Sequence, residues 1–304
     1  MSEIYISLRD MVCGRRRRLR YWAVAVSAIV VLLSLQSLWP EWCLLPTLSE
    51  TLAPATLLAV FLAALLCEFI DSSLGMGYGT TLTPLLLLAG FGPLEIVPCV
   101  LLSEFVTGLA AGLMHHKDGN IDFLRDGHAR SAAYALTLLS AVGAVAAALF
   151  AVSVPKLWLT AIISVIILSV GVVTLATSGR RLRYRRGHLI LVGLFAAFNK
   201  GLSGGGYGPM VTAGQVVSGM SPKHAVAITS LAESFTCLVG LIAYLVVHAS
   251  AIDWTLAPPL SVGALLSVPI ATLTVKGLPE PVLRGSVGVI TVLLGILTAV
   301  KLFT

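Results

Sequence analysis

Charge is what this sequence has least of. Asp, Glu, Lys and Arg make up 11% of its 304 residues, against 57% hydrophobic. The mean hydropathy is +0.96. A water-soluble core has no use for so much apolar surface, so the composition points away from a soluble domain and towards a polytopic helical membrane protein. Paired cysteines are also lacking. Cys13, Cys43, Cys67, Cys99 and Cys237 are scattered, with no CxxC and no His at ligand spacing, so neither a disulfide framework nor a metal site is expected. There is no long basic tract. The net charge of +6 sits in short runs beside apolar segments, the placement that membrane orientation requires, and no nucleic-acid partner is expected. Nothing resembles a nucleophile with an ordered base or metal ligands on facing helices, so no enzyme, catalytic residue or cofactor is expected. A signal-peptide cleavage site is missing too. Arg15 to Arg18 and Arg20 precede an apolar run from Tyr21 to Leu38, but Leu38-Trp39-Pro40-Glu41 offers no small residues, which predicts an uncleaved first membrane helix over Tyr21–Trp39.

What is present is a series of apolar segments. Beyond that first helix they run roughly Leu52–Ile70, Thr81–Ala89, Ile96–Met114, Ser131–Val152, Leu157–Thr177, His188–Phe198, Pro209–Val217, His224–Val247, Thr255–Val275 and Val282–Phe303. A helix needs ~20 residues to cross the hydrocarbon, so Thr81–Ala89 and Pro209–Val217 cannot span alone. Each joins the preceding segment through a Gly-rich break, as a re-entrant hairpin or a pair of tilted spans. With the N-terminus cytoplasmic, 1–20, 115–130, 178–187, 218–223 and 276–281 lie inside. If the inside region is extended to Arg284, every Lys and Arg except Lys156, Lys200 and Lys301 falls inside, which puts the C-terminus outside. The run Arg180–Arg186 reads as a solvated linker that fixes orientation. His115, His116 and His128 are expected in a solvated cytoplasmic loop with Lys117, Asp118 and Asp122.

Internal similarity organises the chain. EFIDSSLGMGYGTTLTP, from Glu68, matches FNKGLSGGGYGPM, from Phe198. One offset aligns Gly75 with Gly204, Gly77 with Gly206, Tyr78 with Tyr207 and Gly79 with Gly208. It also aligns Asp71 with Lys200, Glu104 with Glu233 and Thr107 with Thr236. Further on, Asn120–Phe123 (NIDF) echoes Ala251–Trp254 (AIDW), and Gly171 echoes Gly295. An odd number of spans separates the copies, so they run in opposite directions. The expected domains are a basic segment 1–20, a helix 21–39, repeat 52–177, a linker 178–187 and repeat 188–304. The expected fold is an all-α polytopic membrane protein with inverted-topology repeats, whose broken or re-entrant helices meet near the bilayer midplane.

The breaks explain their own composition. Non-helical backbone at membrane depth must be buried in protein or face a water-filled cavity. Glycine allows the positive φ and the close approach that a break needs. The freed N–H groups at the start of each short helix form a positive end that suits an anion. Charge inside the membrane is costly, so Asp71 and Lys200 each need a partner. The sequence leaves open whether they lock the two halves together or Lys200 holds an anion with Asp71 as counter-charge. Glu104 and Glu233, mid-helix among Ser and Thr, read either as caps for the opposite break or as proton carriers. Asn199, Ser72, Ser73, Ser203, Thr80, Thr81, Tyr78 and Tyr207 can all donate to an oxyanion. With Lys200 as the one cation and with Gly75, Gly77, Gly204, Gly205 and Gly206 they form the candidate substrate site. The expected partners are a small anion, protons and the lipid bilayer.

The paired breaks, each followed by a short helix, a polar-threaded helix and an NIDF- or AIDW-like loop, resemble the TauE/SafE family of sulfite and sulfonate exporters. The resemblance covers about Leu52 to Val300. Here the breaks end in GYG where the family pattern ends in GGG, and Asp71 and Lys200 stand where it has small or apolar residues. The resemblance implies an inner-membrane secondary transporter of an oxidised-sulfur anion that works outward by alternating access, with three acceptor oxygens on the substrate to satisfy. Two other readings stay open. GYG invites comparison with a cation-channel filter, but the copies here are two, unlike and opposed. The other is a membrane assembly protein that transports nothing.

Overall fold

The apolar segments become helices, and glycine and proline set their ends. The computed structural model describes residues 53–177, 186–217, 220, 222–274 and 280–301. The expected segments 1–20 and 21–39, and 178–185 of the linker, lie outside the described residues. The helices are α1 (Pro54–Leu74), α2 (Tyr78–Ala89), α3 (Pro93–Lys117), α4 (Gly127–Ser153) and α5 (Lys156–Thr177), then α6 (Arg186–Ser203), α7 (Tyr207–Val217), α8 (Pro222–Val247), α9 (Ala257–Thr274) and α10 (Glu280–Lys301). Pro54, Pro93 and Pro222 each open a helix, where a missing N–H costs nothing. At α3 the Glu95 carboxylate also accepts the Gly92 amide at 2.7 Å. Among the described residues, five helices, α1, α3, α4, α5 and α8, contain stretches long and apolar enough to cross a membrane.

Leu58, Leu62 and Leu66 form an exposed stripe along α1, and Leu138, Val142 and Leu149 one along α4. Continuous apolar faces on this scale suit lipid, not water. In α5 the hydroxyls of Thr160, Ser164, Ser169 and Thr174 each donate to the carbonyl four residues back, so they need no water. This is an all-α, integral, multi-pass membrane protein.

Helices from the two halves interleave. α1 packs on α9 and α6 on α4, α3 lies against α8, and α5 lies against α10. Small residues let these crossings close. A Cβ on Gly171 would sit 2.7 Å from Val292 and one on Gly295 2.9 Å from Leu168, so each glycine admits a side chain of the facing helix. The matched loops fold alike. Asp122 Oδ1 accepts the amides of Leu124 and Arg125, and Asp253 Oδ1 accepts the amide and hydroxyl of Thr255.

The histidine reading changes here. α3 runs on to Lys117, and His115 is fully buried rather than in a solvated loop. Its Nε2 donates to the Ser72 carbonyl at 3.2 Å, and its Nδ1 accepts from Asn120 Nδ2 at 2.9 Å. At the matched positions, Tyr244 donates to the Gly201 carbonyl at 2.8 Å. Packing of α3 on the helix before the break draws in whatever donor stands there, which periodicity alone does not reveal.

Candidate functional site: two crossed helix breaks

Each break is only three residues long, Gly75–Gly77 and Gly204–Gly206. Helix α1 therefore extends past Ile70 to Leu74, and Asp71, Ser72 and Ser73 are helical. Gly75 and Gly204 end their helices at φ 69 and 72, with amides bonded to the Asp71 and Lys200 carbonyls at 2.6 and 2.8 Å. Gly77 and Gly206 open the next helices at φ 132 and 83. These left-handed values favour glycine strongly, because a Cβ there crowds the following carbonyl.

The two breaks lie backbone against backbone. A Cβ on Gly79 would overlap the Gly204 carbonyl, and one on Gly208 would overlap the Gly75 carbonyl. Gly205 faces the Thr80 amide, with a hypothetical Cβ only 2.5 Å from it. Thr212 Oγ1 crosses from α7 to donate to Gly75 O at 3.0 Å.

Charged side chains from four helices gather beside the crossing. Lys200 of α6 is 1% exposed. Its ammonium pairs with Glu104 Oε2 of α3 and lies 2.7 Å from Glu233 Oε1 of α8. The expected partner, Asp71, is not the one Lys200 takes. The carboxylate of Asp71 instead turns to its own break, where Oδ1 accepts the Tyr78 amide in a long bond of 3.4 Å. The reason is positional. Asp71 follows its helix into the break and meets the start of α2, whereas the mid-helix glutamates of the crossed pair α3 and α8 both point at Lys200. Cys237 adds a thiol contact to Glu104 Oε2 at 3.7 Å.

Several residues expected as donors already have protein partners. The Tyr78 hydroxyl bonds Ser103 at 2.7 Å and that of Tyr207 bonds Ser140 at 3.0 Å, so each tyrosine ties a short helix to a long one. Ser72 donates to Glu68 Oε1 at 2.6 Å, and Ser73 to the Ala271 carbonyl at 3.4 Å. Ser203 Oγ lies within hydrogen-bond distance of Asn199 O and Oδ1 and of Gly205 O. The Thr81 amide donates to Gly77 O at 3.1 Å. By contrast, Thr80 Oγ1, Thr83 Oγ1 and Asn199 Nδ2 are buried without a hydrogen-bond partner.

Sequence reasoning missed Glu68. It is buried on α1 one turn before Asp71, and its second oxygen accepts from Thr107 at 3.2 Å. The signal was there in the helical spacing Glu68-Asp71-Ser72, which puts all three on one face. Thr83 and Thr212 were missed as well, although the offset that aligns the tyrosines aligns them too.

Because α2 and α7 begin at Tyr78 and Tyr207, the GYG segments are helix starts. Their carbonyls enter a helical ladder and cannot form a ring of ion ligands like a channel filter.

Comparison with known proteins agrees with this architecture. The probable membrane transporter protein YtnM of Bacillus subtilis (strain 168) is 30% identical over 223 residues, 70% of this chain and 72% of that protein. No solved structure matches. The family model described as sulfite exporter TauE/SafE matches residues 59–298, which take in both breaks and the clustered charged residues Glu68, Asp71, Glu104, Lys200 and Glu233. The chain belongs to the sulfite exporter TauE/SafE family of membrane transporters.

Proposed function

We propose that this protein is a secondary transporter of a small oxidised-sulfur anion, sulfite or an organosulfonate, that exports it across the inner membrane. The observation that carries this reading is the contact of two glycine breaks, backbone against backbone, beside a buried lysine held by two glutamates. Unwound backbone and intramembrane charge are both expensive in lipid, and transporters use them where a substrate must be held and released. The crosswise packing of α1 on α9 and α6 on α4 supports two inverted repeats, 52–177 and 188–304, that rock against each other around the crossing. The distribution of Lys and Arg supports a cytoplasmic N-terminus and an external C-terminus.

Protons are the coupling ion in this reading. Glu68, Asp71, Glu104 and Glu233 outnumber the one lysine among them, so an arriving anion adds to an acidic surrounding. A proton taken up by one carboxylate offsets that added charge.

The test is flux of labelled sulfite and of methanesulfonate in proteoliposomes, with and without a pH gradient. Saturable flux of either anion, faster down an imposed proton gradient, is expected. No flux of either from folded protein overturns the substrate class, and flux indifferent to the gradient overturns the coupling.

A further inference from the structure

The groups around the two breaks are matched in position but not in chemistry. At the first break the polar groups are spoken for. The Tyr78 amide faces the Asp71 carboxylate, and Thr212 Oγ1 lies 3.0 Å from both Gly75 O and Thr229 Oγ1. At the second break the matched positions differ in residue or in partner. Lys200 stands in place of Asp71 and has no carboxylate to offer the start of α7. Thr83, the match of Thr212, has a hydroxyl with no hydrogen-bond partner. So does Thr80, the match of Pro209, and the Asn199 amide, the match of Ile70, has an unpartnered Nδ2.

These three side chains are 4%, 0% and 2% exposed for Thr80, Thr83 and Asn199. Two of them stand directly against the second break. A Cβ on Gly204 would be 3.0 Å from Thr83 Oγ1, and one on Gly206 would overlap Asn199 Nδ2, while Thr80 meets the break through its backbone, its amide 2.5 Å from a Cβ on Gly205. Ser203 Oγ lies 3.2 Å from Asn199 Oδ1, on the other end of that amide. A buried donor left without a partner is costly, and three on residues that meet one break suit acceptor oxygens.

We infer that the substrate's oxygens are held at the second break by Thr80, Thr83 and Asn199, and that Lys200 does not touch the anion. The ligand class is a small oxyanion with three acceptor oxygens, one for each neutral donor, such as sulfite or the head of a sulfonate. Lys200 is buried with a carboxylate on either side, and its work is to hold Glu104 and Glu233 together. The inference rests on the transporter reading above and specifies which side of the crossing the anion occupies.

The test uses full-length protein purified in detergent. It reads the shift in thermal unfolding midpoint with sulfite, methanesulfonate, sulfate and acetate, which reports binding to the folded state. Thr80→Val and Thr83→Val keep shape and remove one donor each. Each is expected to raise the half-saturating concentration of the best-bound anion at least about tenfold, while Thr83→Ser stays within about twofold of wild type. Gly90→Ala, outside the breaks, is expected to keep the wild-type shift. If Thr83→Val does not fold, Thr80→Val and Asn199→Ala decide the matter. Valine variants that bind like wild type overturn this inference alone, and so does a structure of the anion-bound protein with Lys200 Nζ within hydrogen-bond distance of the anion. A wild type that binds none of the four anions overturns both this inference and the substrate class.

Discussion

At the first break Gly75 ends one helix at φ 69 and Gly77 opens the next at φ 132; at the second, Gly204 and Gly206 do the same at 72 and 83. The backbones follow one plan, and each supplies the surface on which the other rests. The side chains do not follow one plan. The first break turns an acid inward at Asp71 and is supported by Glu68, Ser72 and Thr107. The second has Lys200, which reaches away to two glutamates, and unpartnered donors around its glycines. The first break meets its own carboxylate at Asp71, and buried donors without partners stand at the second.

The comparison is most exposed at Lys200. Lys200→Met leaves Glu104 and Glu233 buried and facing each other without a cation, which should cost ~3–5 kcal/mol. Little folded protein should be recovered by size-exclusion chromatography, and adding Glu104→Gln and Glu233→Gln should restore it. A stable single variant would show that the ion cluster does not hold α3, α6 and α8 together. Next come Gly79→Ala and Gly208→Ala, each of which drives a methyl into the opposite break's carbonyl. Because backbone cannot move aside as a side chain can, the cost should reach the top of the usual overpacking range, about 3 kcal/mol, and be alike for the two. Unequal losses of thermal stability would mean that the crossing is not symmetric.

A glycine outside the breaks calibrates these effects. Gly90 ends α2 at φ 107, and nothing lies within 4 Å of a Cβ placed there. Gly90→Ala should therefore cost only the backbone strain, about 1–2 kcal/mol, less than either break substitution. The smallest effect expected is that of Asp71→Asn. It removes a charge from the start of α2 and should lower the unfolding midpoint by the equivalent of ~0.3–1 kcal/mol. A larger loss would show that Asp71 has a structural partner beyond the Tyr78 amide.

Much of this was readable from the chain. The breaks were legible because glycine clusters inside apolar segments have few other uses, and the short helices after them because neither segment can span alone. Glu104 and Glu233 stood out because mid-helix carboxylates are rare in such a sequence. Their common partner did not, since matched positions suggested Asp71 for Lys200. Symmetry pairs positions along the chain, but contact depends on where helices cross. The tyrosines were legible as break residues, but their partners Ser103 and Ser140 were not, because a hydroxyl's partner depends on which serine the neighbouring helix brings to it.

The sequence by itself determined the membrane class, the two breaks and the residues that match across them. Those follow from local rules: hydrocarbon thickness, glycine's freedom at positive φ, and proline at helix starts. Only the tertiary structure decided that the breaks touch, that Lys200 belongs to two glutamates, that His115 is buried, and that Thr80, Thr83 and Asn199 keep donors without partners. Those depend on the crossing of distant helices, where a side chain's partner is set by its neighbour's register and not by anything nearby in the chain.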